Sequence, residues 1–130
     1  MALGYVATLR NAKLNAITTA LGGAALLRIY SGSRPATGGT ATTLLAELTC
    51  NATFAPAASG GVLTLNAITQ DSSADATGTA SWFRLLTSGG AAQIDGNIST
   101  SGSDLNLTTT SIVATQPVSV TSFTITDGNP

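Results

Sequence analysis

Ala76-Thr77-Gly78-Thr79-Ala80-Ser81-Trp82-Phe83-Arg84-Leu85-Leu86 gathers the single Trp, one of three Phe and one of five basic residues of a 130-residue chain. Read with a period of two, Ala80, Trp82, Arg84 and Leu86 share one face, and Thr79, Ser81, Phe83 and Leu85 share the other. Bulky apolar groups on both faces predict a central strand covered on both sides. Arg84 then lays its aliphatic stem along Trp82 and sends its head to a carboxylate or to solvent. The local sequence offers it no acid or nucleophile to work with, so its role is read as structural rather than catalytic.

Working outward, Thr87-Ser88-Gly89-Gly90 is a hairpin signal leading into a second arm at 91–99. There Ala92, Ile94 and Ile98 take the inward phase and Asp95 and Asn97 the outward one. Gly96 falls inward, where it would make room for the bulk of Trp82. Upstream, 24–31 reads as a strand with Leu27 and Ile29 opposite Arg28 and Tyr30. The turn group Gly32-Ser33-Arg34-Pro35 and a loop at 36–41 follow it; that loop is Gly-rich, but no Lys or helix start follows to make it a phosphate cradle. A second strand, 42–50, points Leu44, Ala46, Leu48 and Cys50 inward and Leu45, Glu47 and Thr49 outward. Phe54 is placed as a plug at one end of the core, 62–68 is a third strand through Leu63 and Leu65, and 104–109 is a short one through Leu105 and Leu107. In the last strand, 118–126, the inward phase changes from Val118 and Val120 to Phe123 and Ile125, which calls for a bulge near Thr121-Ser122.

One helix is expected, over 8–21, with Leu14, Ile17 and Leu21 on a common stripe, Arg10 one turn earlier, and Gly22-Gly23 to end it. The stripe is too narrow for a helix that stands alone. Either it covers an edge or face of the sheet, or residues 1–21 form an arm that docks on a partner. The whole reads as mainly β: an antiparallel β-sandwich, jelly-roll-like, with one N-terminal α-helix. Residues 1–23 make the arm and helix, and 24–130 a single β-sandwich domain.

Composition narrows the chemistry. Hydrophobic residues are 43% of the chain, enough for one core, while only 8% are charged and the net charge is −1. There is no basic footprint for nucleic acid and no segment long and apolar enough to span a bilayer. The apolar run from Leu14 to Leu27 is broken by Asn15, Thr18, Thr19, Gly22 and Gly23 and continues into a strand, so it is read as folded chain rather than a secretion signal. The chain has no His and one Cys, which removes Ser-His-Asp and Cys-His arrangements, an internal disulfide and the usual zinc sites. Six acids, closely spaced only at Asp71 and Asp75, make a carboxylate site improbable too. No enzymatic activity, cofactor or metal is expected. A nearly uncharged Ser, Thr, Ala and Gly surface suits contact with other protein copies better than free diffusion.

The helix, the strand Leu27-Arg28-Ile29-Tyr30-Ser31-Gly32-Ser33-Arg34-Pro35, the segment 76–84 and the close from Asp104-Leu105-Asn106-Leu107 to 118–125 together resemble small proteins of tailed bacteriophages and prophages. Some of those are head decoration, or cement, proteins that clamp neighbouring major capsid subunits from outside. The resemblance implies a structural virion protein on the capsid exterior, made in the bacterial host cytoplasm, with the major capsid protein as partner and a dimer or trimer of its own on the shell. It supplies no catalytic residues. Candidate capsid or subunit contacts are Tyr5, Leu9, Arg10 and Lys13 of the arm and the loop at Ser33, Arg34 and Pro35. A neck, tail or fibre-associated virion protein is the alternative, as is a carbohydrate-binding adhesive sandwich, although Trp82 sits in a strand that reads as buried.

Overall fold

Trp82–Leu86 is buried at every position and forms the middle strand of a five-stranded sheet. The computed structural model describes residues 3–127. In chain order the elements are α1 (Ala7–Leu21), β1 (Leu26–Tyr30), β2 (Leu44–Thr49), β3 (Val62–Thr64), β4 (Gly78–Thr79), β5 (Trp82–Leu86), β6 (Ala92–Ser99), β7 (Leu105–Asn106), β8 (Ser111–Ile112) and β9 (Thr124–Thr126). The large sheet runs β2-β1-β5-β6-β7, antiparallel except for the short parallel pairing of β6 with β7. Two antiparallel ribbons, β3–β9 and β4–β8, stand beside it. The fold is thus mainly β and sandwich-like, and its second layer is built from ribbons and loops rather than one continuous sheet.

Strand alternation gives the sheet two different faces. On the inner face the cross-strand rows are Leu48–Leu27–Leu85–Ile94 and Ala46–Ile29–Phe83–Gly96. They meet Leu14, Leu21, Phe54, Leu63, Ile112, Val118 and Phe123 in one core, with the Phe83 and Phe123 rings edge to face at 5.2 Å. Each fully buried Leu, Ile or Phe contributes about 1.5–3 kcal/mol of apolar transfer there. On the outer face the rows are Leu44–Tyr30–Trp82–Asn97 and Glu47–Arg28–Arg84–Asp95. Tyr30, Trp82 and Leu86 are buried without belonging to the inner core.

Several local expectations change. Leu45, expected outward, is fully buried: Tyr30 pairs with Leu44 and Ile29 with Ala46, so Leu45 is the extra residue of a β-bulge that turns it inward. Ala80 joins the core and not the Trp82 face, because the chain changes partners there: the Ala80 N–H donates to the Thr110 carbonyl and the Ser81 N–H to that of Tyr30. Gly96 makes room for Phe83 rather than Trp82, a Cβ there falling 2.5 Å from the Phe83 ring. A register shift beside Leu86 leaves Ala92 exposed, out of phase with Ile94. The third strand stops at Thr64, and of 118–126 only Thr124–Thr126 is strand, although Val118, Val120 and Phe123 are buried in the phases expected. Ser111–Ile112 is a strand the sequence reading did not assign.

Helix α1 buries Leu14 and Leu21 and rests Ile17 on the core. Its N-cap, Val6, offers no side-chain hydrogen bond, so the fastening comes from elsewhere. The Gly61 N–H donates to Asn11 Oδ1 at 2.9 Å and the Ala58 N–H to Asn15 Oδ1 at 2.8 Å. Gly61 sits at φ +76 with the Arg10 guanidinium against its Cα, so a side chain there meets both a backbone penalty and a clash. Among the described residues no helix is long and apolar enough to cross a membrane.

Candidate functional site

The outer face of the large sheet carries four charges in one row. Register sets Glu47 on β2 beside Arg28 on β1, Arg28 beside Arg84 on β5, and Arg84 beside Asp95 on β6. Two arginines directly opposite one another repel, and each is neutralised by the carboxylate on its outer flank. Arg28 Nε reaches Glu47 Oε2 at 2.6 Å. Arg84 binds Asp95 with a fork, Nε to Oδ1 at 2.7 Å and Nη2 to Oδ2 at 2.9 Å, with its guanidinium carbon 5.2 Å from the Trp82 ring centre. The expectation of a head on a carboxylate is met, and it is the guanidinium that lies over the Trp82 ring.

Residues 32–43 cross this face as a strap. Its ends are pinned together where the Ser31 N–H donates to the Thr43 carbonyl at 3.0 Å and the Thr42 hydroxyl donates to the Ser31 carbonyl. Its body is tied to the sheet: Arg84 Nη2 donates to the Gly39 carbonyl at 2.8 Å, the Gly38 N–H to Asp95 Oδ2 at 2.9 Å, Trp82 Nε1 to Thr42 Oγ1 at 2.9 Å, and Ser81 Oγ to the Gly32 carbonyl at 2.6 Å. Beneath it Tyr30 and Trp82 stack with centroids 4.2 Å apart. The hydrogen bond from Arg84 holds the Asp95 carboxyl below its ordinary range, against the opposing effect of burial, with further help from the Gly38 N–H and the charges of Arg84 and Arg34. Hydrogen bonding to Asp95 raises Arg84 in turn, and Glu47 does the same for Arg28.

The sequence-derived contact residues fall into two groups held by different elements. Ser33 and Arg34 are exposed on the strap and Pro35 is half-buried there; Arg34 Nη1 donates to the Asp95 carbonyl at 3.3 Å. In the arm, Lys13 lies 4.3 Å over the half-buried Tyr5 ring and pairs with Asp127 at 2.8 Å. Arg10 Nε donates to the Asp127 carbonyl at 2.8 Å. Leu9 is 46% exposed, in line with Leu3 at 61% and Val6 at 70%.

Asp95 was expected to face outward, and it does lie on the outer face, yet its side chain is only 1% exposed because the strap covers it. The turn signal at Gly89-Gly90 announces a hairpin but not this pairing: the turn sets Thr87 against Ala91 and Leu86 against Ala92, and the register shift between Leu85 and Leu86 is what brings Arg84 opposite Asp95. Nothing local announces that Trp82 and Thr42 meet.

The remaining chemistry is muted. Burial pushes the Cys50 thiol up to about 11, which keeps it protonated and unreactive. Among the described residues no three His, Cys, Asp or Glu come together as a metal site. A cleft of about 400 Å³ between β6, β7 and β9 is lined in part by Asp104, Asn106 and Thr124, with Phe83 and Phe123 at its floor. Those two rings are 2% and 4% exposed and offer no open platform. Comparison with protein-family models, with curated proteins and with solved structures finds no match for this chain.

Proposed function

We propose that this chain is a structural virion protein, a decoration or cement protein that binds the outside of a tailed-phage head and stabilises contacts between major capsid subunits. The observation that carries the reading is the apolar arm: Leu3, Val6 and Leu9 stand 61%, 70% and 46% exposed at the start of a helix whose other side is built into the core. Exposed apolar side chains close together in sequence, leading into a firmly seated helix, favour a protein partner. Support comes also from the way ion pairing ties Lys13, Arg28 and Arg84 to acids of the same chain, leaving a surface that recognises by shape. A protein that binds the assembled shell better than free subunits stabilises that shell by mass action and needs no chemistry of its own.

The test is co-sedimentation of the purified chain with emptied or expanded heads of the phage that encodes it, followed by thermal disassembly of the loaded heads. Binding at micromolar concentration with a raised disassembly temperature supports the reading. Heads that neither retain the chain nor gain stability would move the neck, tail or adhesive readings ahead of it.

A further inference from the structure

Residues 32–43 include not one buried residue, while Tyr30, Trp82 and Arg84 directly beneath them are 3%, 0% and 6% exposed. The strap therefore shelters a face of the sheet without contributing to the core, which lies on the opposite face. It is held by side chains of β5 and β6 and by its own pinned ends, the geometry of an Ω-loop. A segment with few buried apolar contacts and many polar ties is what opens first when a protein unfolds locally.

We infer that the strap is a lid that opens as one unit about its pinned ends, with the core intact, and that the Arg84–Asp95 pair is the latch that keeps it shut. The latch acts on both sides of the strap's far end: Asp95 holds the Gly38 N–H and Arg84 the Gly39 carbonyl, so loss of the pair frees the tip and leaves it only the bond from Arg34 to the Asp95 backbone carbonyl. Gly32, at φ +85 beside the pinned ends, supplies backbone freedom for the swing. Opening exchanges an exposed surface of Ser, Thr and Gly for the stacked Tyr30–Trp82 pair. It also moves Ser33, Arg34 and Pro35 as a block. The inference concerns the fold alone and stands or falls independently of the virion reading.

Trp82 is the single Trp of the chain, so its fluorescence reports the lid without labelling. In the full-length protein, Asp95→Asn is expected to raise acrylamide quenching of Trp82 about threefold or more with helix content unchanged, while Glu47→Gln leaves quenching as it is. Unchanged quenching in a folded Asp95→Asn protein overturns the latch. Native-state hydrogen exchange of the unmodified chain decides the matter even if that variant does not fold. The Gly38 amide should exchange about 100-fold faster than the Phe83 and Leu85 amides and show no urea dependence at low urea. Exchange of all three at one rate with one urea dependence would mean that the strap opens only with the whole protein, and the lid is then discarded.

Discussion

Arg28–Glu47 and Arg84–Asp95 are one ion pair built twice in a single row, at 2.6 and 2.7 Å, yet the first keeps 32% and 37% of its two side chains exposed and the second 7% and 1%. Strand register and charge are alike at the two ends; what differs is the strap and the place in the sheet, since Glu47 stands on the edge strand β2 and Arg84 and Asp95 on the interior strands β5 and β6. In solvent an arginine–carboxylate pair gains little, because water screens it and two long side chains must be held still. Under cover the same pair loses its hydration, and every remaining donor and acceptor has to be met. Arg84 and Asp95 meet theirs with the strap's own backbone, which is why a segment with no buried residue of its own stays in place. The row shows how a sheet surface becomes either ordinary exterior or shielded interior according to what a neighbouring loop does.

The sharpest way to break the covered half is to empty it. Trp82→Ala should cost about 3–5 kcal/mol in urea unfolding, since the ring is fully buried and stacked; a cost under about 1 kcal/mol would mean that the strap does not enclose it. Next, Asp95→Asn should cost about 3 kcal/mol by leaving Arg84 covered and uncompensated, and replacing both members with apolar residues of similar volume should recover most of that loss. Asp95 also gives the comparison a pH axis. Its folded carboxyl titrates below the ordinary aspartate value of about 4, so folding favours the charged form. The stability it supplies is complete above that ordinary value and is lost as pH falls through the lowered one. Trp82 fluorescence followed from pH 6 downward should therefore show a step in the natural chain that Asp95→Asn removes. Gly96→Ala, on the inner face, should cost about 1–3 kcal/mol by pressing a methyl against the Phe83 ring, with Trp82 quenching unchanged because the strap is on the other side. Smallest of all, Glu47→Gln at the open end should cost less than about 1 kcal/mol, and a larger value would erase the distinction between the two halves.

Alternation made most of the inner face legible. Leu27, Ile29, Phe83, Leu85, Leu63 and Leu105 are all where a period of two puts them, and the turn at Gly89-Gly90 does join β5 to β6 as a hairpin, although the register shift beside Leu86 was not legible. Phe54 as a plug and Trp82 in a central strand also follow from bulk and spacing. Leu45 escaped because a bulge adds one residue to one strand, and nothing in the sequence of β2 marks which residue is extra. Ala80 escaped because a strand was read through a point where the backbone changes partners. The strap was legible as a loop at 32–41 but not as a cover, since its grip on Trp82, Arg84 and Asp95 joins residues distant in sequence that share no periodic signal. Of the proposed contact residues, spacing could suggest Arg10 and Lys13 as basic groups on a helix. That both would converge on Asp127 depends on where the last strand finishes, which is a tertiary outcome.

That convergence has a mechanical meaning. Arg10 and Asp127 are 117 residues apart, and their hydrogen bond, with the Lys13 pair beside it, staples the opening helix to the close of the final strand. A pull applied at residues 3 and 127 loads this staple before it loads any ladder of the five-stranded sheet, so the molecule yields first at its rim and keeps its centre. Tension of that kind falls on Asp127, which meets the two cations with its carbonyl and carboxylate and the Gly61 carbonyl with its N–H, so one residue is the point where the body would begin to unravel under force.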